Sequence, residues 1–195
     1  MHRVNPLVLA LGMAAGTAIS AGLPPRAATQ DAPAVAPART EAQLREALAG
    51  SWRLAMPEAT AQARIDQGIA RAVNDMNYFL QDVARGQMRD NTNLNRRIDL
   101  AFPESQISIH FDQRFLYVTR PGARQTFPLP DGGSVVVRQY FRSGHLEQYF
   151  EATLGRRWNV YRLSADGQTL QVSATQQGTM MPTPMQFELP YHRAP

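Results

Sequence analysis

Three polar residues interrupt apolar faces in the last third of the chain: Gln139, Gln148 and Arg162. Each lies in a segment that alternates between apolar and polar residues, on the face that is otherwise mostly apolar. A buried amide or guanidinium without partners costs on the order of 1–3 kcal/mol or more, so these side chains need partners. They line a wet cavity, hydrogen-bond within their own row, or lie at the mouth of the structure. In the first case Arg162 is the natural partner of a carboxylate, because its planar fork can bind both oxygens.

Other chemistry-bearing residues give weaker patterns. His110 and Asp112 are two residues apart on a predicted strand, as are His145 and Glu147, and metal ligands can be spaced in this way. Both pairs lie on the predicted polar side, where a histidine beside a carboxylate is common, so no metal site is predicted. No nucleophile, zinc-protease, phosphate-loop or dinucleotide pattern occurs, so no catalytic residue and no cofactor is assigned.

The predicted turns of the last third of the chain set the register of these polar residues. A two-residue turn at Ser143-Gly144 places Gln139 opposite Gln148. Three-residue turns at 154–156 and 165–167 then place Arg162 on the same face, together with Trp158. The predicted register yields one mostly apolar face and one polar face, as expected for strands that are buried on one side.

The segments around these hairpins predict a mainly β protein. A short helix spans residues 41–49, and residues 51–56 form a first strand. A long helix, 57–86, follows, with its apolar stripe formed by Ile65, Ile69, Val73, Met76, Leu80 and Val83. From Arg96 onward the period is two, and turn residues separate the segments. We therefore predict an antiparallel up-and-down barrel of about eight to ten strands, with one long helix inserted after the first strand and packed on the barrel.

Composition limits the compartment and the partners. The chain has 195 residues, no cysteine and a net charge of +4, with no long basic run, so nucleic-acid binding is not predicted. Residues 1–22 have the basic start and apolar stretch of a signal peptide, and the Ala/Pro-rich residues 23–40 form a linker. We predict a periplasmic or secreted protein with no transmembrane span in the mature chain, its domain covering residues 41–195.

At Gly50-Ser51-Trp52 the chain resembles the lipocalin-like (calycin-type) barrels, whose first strand begins with a Gly-x-Trp motif after a short helix. The end of the chain also resembles small exported bacterial proteins of lipocalin-like type. In lipocalins an arginine of the last strand lies across the tryptophan and closes the base of the barrel. The resemblance implies that Arg193 has this role toward Trp52.

Two classes of function follow from these observations. In the first, the exported barrel binds a small hydrophobic or acidic amphipathic molecule in its interior, with Gln139, Gln148 and Arg162 orienting the polar end. In the second, it is a structural or interaction protein of the cell envelope with a solid core and no ligand. An enzyme of unknown reaction is a third, weaker alternative, and the sequence identifies no protein partner.

Overall fold

The computed structural model of the protein describes residues 39–129, 132–179 and 181–194. The predicted signal peptide, 1–22, lies outside the described residues. So does the predicted linker, 23–40, apart from Arg39 and Thr40. Both assignments stay predictions.

The described part of the chain is mainly β, with three helices near its start. The helices are α1 (Glu41–Leu48), α2 (Glu58–Asn74) and α3 (Tyr78–Asp90). The strands are β1 (Gly50–Leu54), β2 (Arg97–Ala101), β3 (Ile107–Phe111), β4 (Phe115–Thr119), β5 (Arg124–Pro128), β6 (Ser134–Arg142), β7 (His145–Ala152), β8 (Gly155–Leu163), β9 (Thr169–Gly178) and β10 (Met185–Arg193).

The ten strands form one antiparallel sheet that curls into a nearly closed up-and-down barrel. Its order is β4-β3-β2-β1-β10-β9-β8-β7-β6-β5, so the first strand pairs with the last. Across the remaining gap, the Thr119 hydroxyl donates to the Gln139 side-chain oxygen at 2.8 Å. The rings of Tyr117 and Phe127 also meet there, with 5.2 Å between their centroids. The predicted fold class is confirmed, and it fits the calycin-type barrel that the Gly-x-Trp motif implies.

One end of the barrel is closed by α1. Leu44 and Leu48 of this helix are buried in the core, and the Trp52 indole N–H donates to the carbonyl of Leu48 at 2.9 Å. Gly50 turns the chain from the helix into β1 with a φ of 122°, a conformation that side chains with a Cβ rarely adopt. A Cβ at Gly50 would also lie 3.1 Å from the guanidinium of Arg193. The first residue of the motif is therefore explained by both conformation and space.

The single helix predicted over 57–86 was wrong, because the structure has two helices there. α2 ends at Asn74, and the Asn77 side chain caps the start of α3 by accepting a hydrogen bond from the Phe79 N–H at 3.1 Å. The predicted apolar stripe therefore divides into two parts. Ile65, Ile69 and Val73 are fully buried, whereas Leu80 and Val83 are 47% and 60% exposed. No helix among the described residues is long and apolar enough to cross a membrane.

The predicted register of β8 was also wrong, although that of β6 and β7 was correct. Residues 153–154 form a two-residue turn, so Ala152 pairs with Gly155 and Gln148 pairs with Asn159. Gly155 has no left-handed backbone and is not a turn residue. It lies within the strand. Glycine is needed there because a Cβ would come within 2.5 Å of the carbonyl oxygen of Gln177 on β9. Compared with the prediction, β8 is shifted by three residues and its two faces are exchanged.

The next connection compensates for this shift. Leu163 pairs with Leu170, so the connection is longer than the three residues predicted. Its ends are tied by the Ser164 N–H, which donates to the Thr169 carbonyl at 2.8 Å. The inner face of β9 is consequently the predicted one, with Val172 and Ala174 buried.

Candidate functional site

A cavity of about 930 Å³ occupies the end of the barrel beside α3. Its wall is formed by α3, the end of β7, the start of β8, the start of β6 and the last residues of β9. Most of the surface that it exposes is apolar. The apolar side chains of the wall include Met76, Leu80, Met88, Phe111, Tyr117 and Phe150.

The aromatic side of the cavity is held by ring contacts. The Tyr117 ring meets that of Phe150 edge-on at 5.2 Å and that of Phe111 at 6.2 Å between centroids. Such edge-to-face contacts stabilise rings beyond the area that they bury. These contacts hold the aromatic wall in place. The opposite wall is α3, which packs less closely, since Met88 is its only buried residue.

Large apolar side chains are exposed beside the cavity. Tyr78 and Phe79 at the start of α3 are 81% and 85% exposed, and Leu154 in the β7–β8 turn is 79% exposed. Leu80 and Leu154 both line the cavity and are accessible from outside. We infer that the opening of the cavity lies between α3 and this turn.

Arg157 is a charged group of the cavity wall that lacks a counter-ion among the described residues. It lies on the inner face of β8, where its Nε donates to the Asn159 side-chain oxygen at 3.0 Å and its guanidinium lies 5.6 Å from the centroid of the Phe187 ring. Among the described residues, no carboxylate lies within 4.0 Å of it. Burial lowers the pKa of Arg157, because the surroundings solvate the charged form poorly.

The titratable groups that act on Arg157 are phenols rather than carboxylic acids. Burial raises the pKa of Tyr161, of Tyr191 and of Tyr117, while the positive charge of Arg157 partly opposes each shift. All three phenols are therefore neutral at physiological pH and do not balance the guanidinium. The Tyr161 hydroxyl donates to the Gln148 side-chain oxygen at 2.7 Å, and that of Tyr191 donates to the Asn95 carbonyl at 2.9 Å.

A buried polar row crosses three strands beneath this site. Gln139, Gln148 and Asn159 are paired in register on β6, β7 and β8, and each is at most 2% exposed. The Asn159 amide donates to the Gln148 side-chain oxygen at 3.3 Å. The amide nitrogens of Gln139 and Gln148 have no hydrogen-bond partner among the described residues. Asn159 lines the cavity and the two glutamines do not, so their predicted contact with a ligand stays a prediction.

The placement predicted for Arg162 was wrong. The exchanged faces of β8 put Arg162 on the outside, where it is exposed and donates to the Ser173 hydroxyl at 3.5 Å. Trp158, predicted to point inward, lies on the outer face opposite Tyr149 for the same reason. Arg157 and Asn159 take the inner positions instead. Gly155 is the residue from which these inner positions could have been predicted. Its interpretation as a point of close approach between two strands, rather than as a turn residue, gives the correct register.

The contact predicted between Trp52 and Arg193 is present at the closed end. The two residues are paired on β1 and β10, and the guanidinium carbon of Arg193 lies 4.5 Å from the centroid of the Trp52 ring. The Arg193 fork also donates to the carbonyls of Ala47 and Ala49, the latter at 2.8 Å. This contact joins the first strand, the last strand and α1.

The histidine–carboxylate pair on the outside is part of a hydrogen-bonded cluster. The His145 Nε2 lies 2.8 Å from one Glu147 oxygen, and the Tyr140 hydroxyl donates to the other at 2.7 Å. Within the part of the chain that the structure describes, no three acidic or histidine side chains come together as metal ligands.

The barrel has similar folds among solved structures. A fatty-acid-binding protein of Echinococcus granulosus is 11% identical, with a TM-score of 0.46, over 77% of this chain and 99% of that one. A Schistosoma mansoni fatty acid binding protein in complex with arachidonic acid is 12% identical, with a TM-score of 0.47, over 77% and 98%. Zebrafish ileal bile acid-binding protein complexed with cholic acid is 8% identical, with a TM-score of 0.47, over 76% and 99%. No protein-family model and no curated protein sequence matches the chain.

Proposed function

We propose that the barrel binds an amphipathic small molecule whose acidic head contacts Arg157 and whose apolar part fills the cavity beside α3. The observation that carries this proposal is an arginine facing a 930 Å³ cavity without a carboxylate partner among the described residues. Arg157 is half-buried, and a charge that is partly removed from water is stabilised by an opposite charge and by hydrogen bonds. A bound acid would supply both.

The geometry of Arg157 suits a carboxylate. Its Nε is already engaged by Asn159, so its two terminal nitrogens remain to donate to two oxygens in parallel. Asn159 is itself oriented by Gln148, whose side-chain oxygen accepts from the Asn159 amide. We propose that Gln148 acts on the site through Asn159, and that Gln139 supports Gln148 from the next strand.

The cavity supports ligand binding over the alternative of a solid core, because it leaves space unfilled beside α3. Cavities of about 300–1,000 Å³ with a mostly apolar wall and a few polar groups are typical of small-molecule sites. Met76, Met88 and Met181 contribute to the wall. Their flexible side chains can adjust to ligands of different shape.

The experiment is a binding titration with a saturated fatty acid and with the fatty alcohol of the same length. Charge-assisted hydrogen bonds contribute about 1.5–3 kcal/mol, so Arg157→Met should weaken the acid by roughly 10- to 100-fold and the alcohol hardly at all. Arg162→Met is the matched control, because it removes an arginine from the same strand on the outer face. Equal loss of acid and alcohol, or no loss of the acid, would contradict the carboxylate role of Arg157.

We also propose that the protein is exported. The support is the basic start at His2 and Arg3 and the apolar stretch from Leu7 to Ile19, with small residues following. Fractionation of the source cell and intact-mass measurement test this proposal. A mature chain that begins near Ala21 to Leu23 and leaves the cytoplasm is expected, and a full-length cytoplasmic protein would contradict it.

A further inference from the structure

The guanidinium of Arg157 lies among carboxamide side chains rather than in a purely apolar wall. Asn93, Asn95 and Asn159 line the main cavity together with Arg157, and the same four residues also line a small adjoining void of about 10 Å³. Gln176 is directly opposite Arg157 on β9, and it lines the cavity as well.

The hydrogen bonds of these carboxamides are mostly unmade. Asn159 is engaged by Arg157 and Gln148. The side chains of Asn93, Asn95 and Gln176 make no hydrogen bond to any described residue, although the backbone carbonyl of Asn95 accepts from Tyr191. Each free carboxamide offers two N–H donors and one acceptor oxygen.

A plain fatty acid does not match this set of groups. An ionised carboxylate only accepts hydrogen bonds, so it can satisfy Arg157 and the amide N–H groups but none of the amide oxygens. The rest of a fatty acid is hydrocarbon, which makes no hydrogen bond to the amide oxygens. A site built to hydrogen-bond a ligand discriminates strongly against an analogue that lacks the bonding group. The head group that fits has a donor and a second acceptor close to its acid.

We propose that the ligand is an N-acyl amino acid, that is, a fatty acyl chain joined by an amide bond to an amino acid. The proposal rests on the proposed function, because the carboxylate is again assigned to Arg157. The ligand N–H donates to a carboxamide oxygen of the group formed by Asn93, Asn95 and Gln176, and the ligand carbonyl accepts from a carboxamide N–H. The acyl chain runs along the apolar wall toward α3.

The experiment compares three acids of equal chain length: heptadecanoate, N-myristoylglycine and the myristoyl ester of glycolic acid. One net hydrogen bond contributes about 0.5–1.5 kcal/mol, so two should make N-myristoylglycine roughly tenfold tighter or more than heptadecanoate. The ester lacks only the N–H, and it should bind more weakly than the amide. Equal affinity for all three acids would overturn the inference and show that water satisfies the carboxamides, while the proposed function would stand.

Variants assign the preference to the carboxamides. Gln176→Leu and Asn93→Leu should each reduce the preference for N-myristoylglycine over heptadecanoate several-fold. Asn93 is exposed, so Asn93→Leu should fold even if the replacement of the half-buried Gln176 prevents folding. Gln186→Leu, on the outer face of β10, is the matched control and should change neither affinity. A preference retained in both cavity variants would contradict the inference, whereas acids that bind equally well to Arg157→Met would contradict the proposed function itself.

Discussion

The guanidinium of Arg193 lies over the indole ring of Trp52, with 4.5 Å between its carbon and the ring centroid, and its fork donates to two carbonyls at the end of α1. Trp52 is fully buried. One side chain therefore connects the strand that begins the barrel, the strand that ends it and the helix that closes its base.

Removal of this contact should destabilise the barrel. A desolvated cation–π contact is worth about 2 kcal/mol and hydrogen bonds to a charged group about 1.5–3 kcal/mol, so Arg193→Ala should lower the free energy of unfolding by roughly 2–4 kcal/mol. Urea unfolding measures the loss. Arg162→Ala is the control and should cost less than about 0.5 kcal/mol, since Arg162 is exposed with one long hydrogen bond. A double-mutant cycle of Trp52→Phe and Arg193→Ala without coupling would contradict the contact.

Two helical glycines should respond to the same substitution in opposite directions. A Cβ at Gly68 of α2 would lie 2.6 Å from the backbone oxygen of Gln186, whereas a Cβ at Gly86 of α3 meets nothing within 4 Å. Gly68→Ala should cost about 1–3 kcal/mol, because α2 must move away from β10. Gly86→Ala should add about 0.5–1 kcal/mol through helix propensity. Thermal unfolding of both variants provides the comparison, and a stabilised Gly68→Ala would show that α2 does not pack so closely.

The barrel could be predicted from the sequence because the patterns that indicate it each lie within a short stretch of the chain. Alternation along each strand, the Ser143-Gly144 turn and the Gly-x-Trp motif each depend on a few neighbouring residues. The structure bears out the strand count and the pairing of Gln139 with Gln148, and the contact of Arg193 with Trp52 is present.

The site could not be predicted because it depends on one register. Gly155 could serve either as a left-handed turn residue or as a point where two strands approach closely, and the sequence does not separate these reasons for a glycine. The choice of a turn exchanged the faces of β8 and put Arg162 inside in place of Arg157. The error left no trace on β9, because the next connection restored the predicted face.

The break between α2 and α3 makes a further prediction about the apolar stripe. Ile69 is fully buried on α2, while Val83 on α3 is 60% exposed. Ile69→Asp should cost several kcal/mol, since it buries a charge that has no partner, and Val83→Asp should change the free energy of unfolding by about 0.5 kcal/mol or less. Chemical denaturation tests both variants. Similar losses would indicate one continuous helix packed along its whole length.

The cluster of Tyr140, His145 and Glu147 on the outer face of the β6–β7 hairpin should make the free energy of unfolding depend on pH. Burial alone would raise the pKa of Glu147, but hydrogen bonds from Tyr140 and His145, together with the charges of His145 and Arg142, lower it below its ordinary value of 4.5. The same hydrogen bond to Glu147 is the main cause of the raised pKa of Tyr140. The ionised carboxylate is thus more favourable in the folded protein than in the unfolded chain.

For an acid with a depressed pKa, the stabilisation is fully present above the unfolded value and is lost as the pH falls through the folded value. Wild type should therefore be more stable than Glu147→Gln at pH 7, and this difference should shrink as the pH drops below about 4.5. Urea unfolding across this range measures the difference. Glu46→Gln is the control, because Glu46 is exposed and forms no ion pair among the described residues. A Glu147→Gln difference that stays constant down to pH 3 would show that the carboxylate gains nothing from Tyr140 and His145 in the folded protein.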